Sequence, residues 1–234
     1  MLLLATLAVA LSPTARSVDY PHVVTRNTAP QLIGAASPGP ASFIAHKWSA
    51  YLVLLEERPM ATKMATSAVL AGAGDVIAQS IEASGSFFLR RFLTLIAVNV
   101  LYIVPILTAF YALNEGVISK LKTPAGWKRT GIQLAFDQLV NAPIVVAGFF
   151  AAFQLFTAVG ETLASGAPFA LNSVAGATMA AWKSSYVSTV ISNWKVWVLP
   201  QLLNFALVPP YARVAFANLI GLVWSVILSV IANA

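Results

Sequence analysis

Long apolar runs, broken by single polar residues, follow one another along the chain from residue 63 onward. A helix needs roughly 20 predominantly apolar residues to cross a bilayer. Runs of this kind predict membrane-spanning helices at residues 63–82, 89–113 and 132–159. The pattern therefore predicts an all-α, polytopic membrane bundle, because helices satisfy their own backbone hydrogen bonds inside lipid.

The last apolar stretch predicts a fourth, bent crossing made of two shorter helices. Aromatic and amide side chains recur there at steps of three and four residues, which is typical of one helix face. This stripe consists of Trp194, Trp197, Gln201, Asn204 and Val208. Such a face is expected to turn toward other helices or water rather than lipid tails. Two adjacent prolines then separate a helix at 194–208 from a final span at 211–231.

Prolines inside the apolar stretches predict where helices bend. A proline removes one backbone hydrogen bond and crowds the carbonyl of the preceding turn. Kinks are therefore predicted at Pro105, Pro143, Pro200 and Pro209.

The chain before the first span is predicted to have three parts. Residues 1–17 form a short apolar leader that resembles a signal or targeting segment; the alternative is a leader that stays attached. Residues 18–42 contain several prolines and are predicted to form an extended arm or linker. Residues 43–59 predict an interfacial amphipathic helix that opens a transmembrane domain at 43–234.

Two longer connections are predicted between the spans. Residues 114–131 hold the densest basic cluster in the chain and are predicted to form a loop facing lipid headgroups. Residues 160–193 are predicted to form a loop followed by an interfacial or partly inserted helix.

Polar side chains within the apolar stretches are the candidate functional residues. They are Asp75, Gln79, Asp137, Gln138, Asn141, Gln201, Asn204 and Arg213. An aspartate at the centre of a span costs roughly 2.5–3.5 kcal/mol on insertion scales, so it should face the bundle interior, pair with a cation or lie near an interface. Two interpretations stay open: these residues line a pore, or they tie helices together. A further hypothesis pairs Arg213 with Asp75 or Asp137.

The composition agrees with an integral membrane protein and narrows its chemistry. The chain has 234 residues, of which 59% are hydrophobic and 9% charged, whereas soluble domains are about 25% charged. It contains no cysteine, and His22 and His46 precede the first span. We therefore expect no metal, no cofactor and no enzyme, with catalysis by Asp75 and Asp137 as the weakest alternative. The net charge is +6, and the basic residues lie mainly at the ends of the spans. This position indicates contact with the lipid bilayer rather than with nucleic acid.

Four blocks of residues occur in a recognisable order between about residue 48 and residue 230. They are Trp48, Tyr51, Leu55, Pro59 and Thr62; Gly74, Asp75 and Gln79; Asp137, Gln138, Ala142 and Pro143; and Trp194, Trp197, Gln201, Asn204, Phe205, Val208, Pro209, Arg213, Trp224, Leu228 and Ser229. As a set they resemble the Mpv17/PMP22 family, small four-helix proteins of the mitochondrial inner membrane and the peroxisomal membrane.

The chain departs from that family pattern at several ionisable positions. Where the resemblance implies histidine, tryptophan and lysine, this chain has Thr108, Phe110 and Gln133. Where it implies proline and arginine in the closing block, the chain has Val198 and Ala206. These neutral replacements indicate a divergent member.

The resemblance implies a poorly selective channel or small-solute pore that supports organelle homeostasis. The alternative is an accessory structural subunit of a photosynthetic or respiratory membrane complex, bound through the 18–42 arm and the long loops. A homo-oligomer is also compatible with the sequence. The resemblance favours the mitochondrial inner membrane or the peroxisomal membrane, whereas the apolar leader suggests a plastid membrane as an alternative.

Overall fold

A computed structural model describes the chain over residues 40–82, 87–166 and 168–232, with side chains from residue 47 to residue 223. Every regular element in these ranges is a helix, which confirms the all-α prediction. The leader at 1–17 and most of the arm at 18–42 lie outside the described residues. The arm was predicted to reach residue 42, but the first helix already begins at Pro40.

Eight α-helices make up the described bundle. They are α1 Pro40–Glu57, α2 Pro59–Glu82, α3 Leu89–Val98, α4 Val104–Lys120, α5 Trp127–Phe136, α6 Ala142–Ser165, α7 Leu171–Leu207 and α8 Arg213–Ala232. A π-helical turn at Asn99–Ile103 joins α3 to α4, and a second one at Asp137–Asn141 joins α5 to α6. A short 3-10 turn at Pro210–Ala212 precedes α8. The helices on either side of each π turn therefore form one long rod.

Three helical segments are long and apolar enough to cross a membrane within the described chain: Pro59–Glu82, Leu89–Lys120 and Trp127–Ser165. They correspond to the three spans predicted from the apolar runs. A shorter apolar helix covers Pro210–Val223. The protein is thus a multi-pass helical membrane protein.

The predicted fourth crossing was wrong in its first half. Residues 171–207 form one continuous helix of 37 residues, in place of a loop, an interfacial helix and a separate helix at 194–208. At about 1.5 Å per residue this helix is roughly 55 Å long. Pro200 lies inside it without ending it, because the flanking turns keep their own hydrogen bonds. The helix ends at Leu207, next to the predicted break at Pro209.

The predicted loop at 114–131 was also too long. Helix α4 continues to Lys120 and α5 begins at Trp127, so the connection covers only residues 121–126. Gly126 has a φ of +125° there, a backbone conformation that glycine adopts without a steric penalty. As a result, Glu115 lies on α4 and faces Arg129 and Gln133 on α5.

Both π turns end two residues before a proline. The amide of Val104 donates to the carbonyl of Asn99, five residues back, and Pro105 follows. The amide of Ala142 likewise donates to the carbonyl of Asp137, and Pro143 follows. Since a proline ring crowds the carbonyl four residues before it, the wider turn gives that carbonyl room. The π turns therefore lie shortly before Pro105 and Pro143, two of the positions at which the sequence predicts kinks.

The described residues form two buried apolar clusters on different sides of the second span. One joins this span to the third through Val98, Tyr102, Ile106, Phe110 and Ala152. The other joins it to α7 and α8 through Val104, Tyr111, Phe205 and Val214. Helix α2 packs along α8, and α6 packs along α7. The second span is therefore enclosed by helices on both sides.

Candidate functional site

The second π turn holds a buried carboxylate surrounded by amides. Asp137 is 3% exposed. Its two oxygens accept hydrogen bonds from Gln138 Nε2 at 2.7 Å and from Asn141 Nδ2 at 2.6 Å. Among the salt bridges of the described residues, none involves Asp137. The Asp137 group, defined as Asp137, Gln138 and Asn141, therefore holds a buried carboxyl group that pairs with no basic side chain among the described residues.

Several buried oxygens around the second span have no hydrogen-bond partner in the described part of the chain. The amide nitrogens of Gln138 and Asn141 are used by Asp137, and their Oε1 and Oδ1 atoms have no partner among the described residues. The same is true of Asn204 Oδ1 and Thr108 Oγ1. Buried polar atoms in proteins normally have partners. An interior rich in free acceptors is suited to water or to a cation.

A polar junction lies beside α4, which contacts the second π turn. The hydroxyl of Tyr111 accepts hydrogen bonds from Gln201 Nε2 at 3.1 Å and from Asn204 Nδ2 at 3.2 Å. Asn204 Nδ2 also donates to Gln201 Oε1 at 2.9 Å. The Tyr111 ring meets Phe205 edge to face, with centroids 5.9 Å apart. Gln201 and Asn204, predicted to share one helix face, thus point into the bundle.

Arg213 forms its ion pair with Glu115, so the predicted pairing with Asp75 or Asp137 was wrong. Arg213 Nη1 lies 2.5 Å from Glu115 Oε1, and Arg213 is 4% exposed. Arg129 pairs with the other carboxylate oxygen of Glu115. Glu115 was not among the predicted polar residues, because residues 114–131 were predicted to form a loop. A signal was present, since Glu115 follows Tyr111 by one helical turn.

Gln133 shows how one departure from the family pattern is accommodated. Its Nε2 donates to Glu115 Oε1 at 2.6 Å, and its backbone carbonyl accepts from Asn114 Nδ2 at 2.9 Å. A neutral amide therefore occupies the position where the resemblance implies a lysine. The Glu115 cluster, defined as Glu115, Arg129, Gln133 and Arg213, has one acid against two arginines.

Asp75 and Gln79 belong to a separate cluster at the junction of α2 and α3. Asp75 Oδ1 lies 2.8 Å from Arg91 Nε, and Gln79 Nε2 donates to Asp75 Oδ2 at 2.6 Å. Arg91 also makes two contacts with Glu82, at 2.6 and 3.0 Å. Gln79 Oε1 accepts the backbone N–H of Phe88 at 2.6 Å. These contacts tie the first span to the second.

The predicted polar residues thus fall into three sets. Asp137, Gln138 and Asn141 form the group that has no salt bridge to a basic side chain of the described residues. Gln201 and Asn204 join Tyr111, next to Arg213 in the Glu115 cluster, while Asp75 and Gln79 lie apart at the α2–α3 junction. No group of three or more histidine, cysteine, aspartate or glutamate side chains that could hold a metal ion is found in the part of the chain that the structure describes.

The amino-acid sequence of this chain is similar to those of several known membrane proteins. The family model described as Mpv17 / PMP22 family matches residues 173–229, which cover most of α7 and most of α8. Peroxisomal membrane protein 2 of Bos taurus is 31% identical over 183 residues, covering 75% of this chain and 84% of the relative. PXMP2/4 family protein 2 of Dictyostelium discoideum is 29% identical over 191 residues, covering 78% and 89%. Mitochondrial inner membrane protein Mpv17 of Xenopus laevis is 27% identical over 192 residues, covering 80% and 97%. No solved structure matches the chain.

The three spans and their buried polar residues define a class, the small polytopic helical membrane proteins. Within this class, the 31% identity to one relative over most of both chains identifies the family. The chain belongs to the Mpv17 / PMP22 family of membrane proteins, as a divergent member.

Proposed function

We propose that this protein is a non-enzymatic, small-solute pore of an organellar membrane, with the Asp137 group as its cation-favouring section. The observation that carries the proposal is a carboxylate that is 3% exposed and has no salt bridge among the described residues. Ionisable residues within membrane spans are costly, and they commonly mark ion and solute pathways.

The charge of Asp137 supports this proposal because structural carboxylates elsewhere in the bundle are paired. Asp75 has Arg91 at 2.8 Å, and Glu115 has Arg213 at 2.5 Å. A buried charge without a partner costs several kcal/mol, and that cost falls if a cation from solution occupies the site. Two amide donors lower the cost without removing the charge.

Polar groups next to α4 extend the proposed path. The oxygens of Asn204 and Thr108 without a partner in the described residues, together with the Tyr111 hydroxyl, offer hydrogen bonds to water or to a polar solute. The Glu115 cluster, where arginines outnumber the acid, would discourage a cation from binding there. The proposed path therefore has one section that favours cations and one that does not.

The relatives bear on the membrane in which such a pore would act. One is named a mitochondrial inner membrane protein and another a peroxisomal membrane protein. We propose an organellar membrane of one of these two kinds for this chain. The lipid bilayer is its proposed partner, with a homo-oligomer as a possible assembly.

Conductance of the purified protein in planar bilayers tests the proposal. The wild type should carry current, and Asp137→Asn should carry less in potassium chloride because the cation-favouring charge is lost. Glu161→Gln is the matched control, since Glu161 is a half-exposed acid that contacts Arg90 at 3.5 Å outside this group. Wild-type protein that carries no current would contradict the proposal.

The size of the particle extracted from its membrane separates the pore from the accessory-subunit alternative. One copy or a few copies of this chain agree with a pore. A discrete assembly with respiratory or photosynthetic subunits, combined with absent conductance, would favour the accessory subunit.

A further inference from the structure

The second π turn leaves the carbonyl of Gln138 without a donor from its own helix. The amide of Ala142 donates to the carbonyl of Asp137. The next position is Pro143, which has no N–H to offer to the carbonyl of Gln138. A buried carbonyl without a partner costs about as much as a lost hydrogen bond. The turn that presents Asp137 therefore needs a donor from another element.

Trp194 of α7 supplies that donor. Its indole Nε1 donates to the carbonyl oxygen of Gln138 at 2.8 Å. An indole has only this single donor, and its rigid ring fixes where the N–H points. The bond therefore joins α7 to the residue that follows Asp137.

Two other side chains of α7 make similar bonds, but to a different part of the third span. Tyr186 donates to the carbonyl of Pro143 at 3.1 Å, and Trp182 Nε1 donates to the carbonyl of Ala147 at 2.9 Å. The Ala147 carbonyl lies within the regular helix α6, four residues before the amide of Ala151. The carbonyl of Ala147 therefore has a backbone donor in its own helix, and Trp182 adds a second donor. The carbonyl of Gln138 has no such backbone donor, and Trp194 takes its place.

We propose that Trp194 is a positioning residue for the Asp137 group: its N–H stabilises the π turn and so fixes where the carboxylate of Asp137 points. This inference rests on the proposed function only in treating the Asp137 group as the cation-favouring section of a pore. The stabilisation of the π turn by Trp194 rests on the hydrogen bond alone. Gln138 connects the two, since its carbonyl binds Trp194 and its Nε2 binds Asp137.

Hydrogen–deuterium exchange of the full chain in lipid nanodiscs tests the structural part. Trp194→Phe keeps an aromatic ring and removes the N–H. Exchange at residues 137–142 should then be up to about tenfold faster, the factor that corresponds to one lost net hydrogen bond. Trp182→Phe is the matched control and should leave exchange at 137–142 unchanged, because the Ala147 carbonyl keeps its helical donor. Equal exchange in the two variants would overturn the inference.

A near-isosteric replacement guards against a packing effect. Benzothienylalanine at position 194 has almost the shape of tryptophan but carries sulfur in place of the N–H. It should reproduce the faster exchange without lowering the thermal midpoint as a cavity would. If only Trp194→Phe exchanges faster, ring packing rather than the N–H positions the turn, and the inference fails.

A functional readout separates this inference from the proposed pore. In conducting protein, the benzothienylalanine variant should lose cation preference in the same direction as Asp137→Asn, while Trp182→Phe should not. Faster exchange in a protein that never conducts would contradict the pore and leave the role of Trp194 in place. Conduction with unchanged exchange at 137–142 would contradict the role of Trp194 and leave the pore in place.

Discussion

The two π turns share a backbone arrangement and differ in what surrounds them. Each occupies five residues and ends two residues before a proline. In the first turn, Asn99 Nδ2 donates to the carbonyl of Leu95 in its own rod, and Tyr102 packs in the apolar cluster. In the second turn, a buried carboxylate and two amides face one another. Both widened turns come shortly before a proline, and the side chains around each turn decide whether it is filled or polar.

The first turn is filled by Tyr102, which fits against a glycine of the third span. Its hydroxyl donates to the carbonyls of Val145 at 3.1 Å and of Ile144 at 3.3 Å. A Cβ atom at Gly148 would lie 2.1 Å from the Tyr102 hydroxyl oxygen. Only glycine allows this approach. The second turn has free acceptor oxygens instead of such a filled contact.

The largest expected effect comes from closing the space beside the first turn. Gly148→Ala should lower the free energy of unfolding by about 1–3 kcal/mol, because the Tyr102 ring must move away from the new methyl group. Gly116→Ala is the control, since no atom lies within 4 Å of a Cβ at that position in α4. Titrating the protein in mild detergent with a denaturing detergent would measure the difference in the free energy of unfolding. Equal stability of the two variants would contradict the close packing of Tyr102.

A matched pair of asparagine substitutions compares the two turns directly. Asn141→Leu should cost about 1–3 kcal/mol, because it removes one of two donors to a buried carboxylate. Asn99→Leu should cost less, about 0.5–1.5 kcal/mol, since the lost bond goes to a neutral carbonyl of its own rod. The same unfolding assay ranks the two. An equal or larger loss for Asn99→Leu would show that Asp137 does not depend on its amide donors.

The smallest expected effect is the loss of the Tyr102 hydroxyl alone. Tyr102→Phe should cost about 0.5–1.5 kcal/mol, because its two acceptor carbonyls lie in the regular helix α6, where helical donors are available. Conductance should remain unchanged, since the first turn lies outside the proposed cation-favouring section. A change in conductance as large as that of Asp137→Asn would mean that both turns contribute to the path.

The sequence predicted those features that depend on local periodicity. The Asp75–Gln79 contact follows from their separation by one helical turn, and the inward face of Gln201 and Asn204 follows from their spacing. The three spans follow from the lengths of the apolar runs. These predictions needed no knowledge of which helices are neighbours.

The missed features depend on tertiary contacts or on boundaries. The partner of Arg213 is Glu115, 98 residues earlier in the chain, and no local pattern links them. The single helix α7 was divided in the prediction because glycine, serine and proline residues suggested breaks, yet packing along α6 keeps it continuous. The prolines predicted kinks at residues 105 and 143, but they did not predict the π turns that precede them.

The reversal potential in a potassium chloride gradient is the most direct test of the central claim that the Asp137 group favours cations. Wild-type protein should give a reversal potential with the sign expected for cation preference. Asp137→Asn should shift it toward zero, while Glu161→Gln should leave it unchanged. A wild-type reversal potential at zero, or one that Asp137→Asn does not move, would contradict the account.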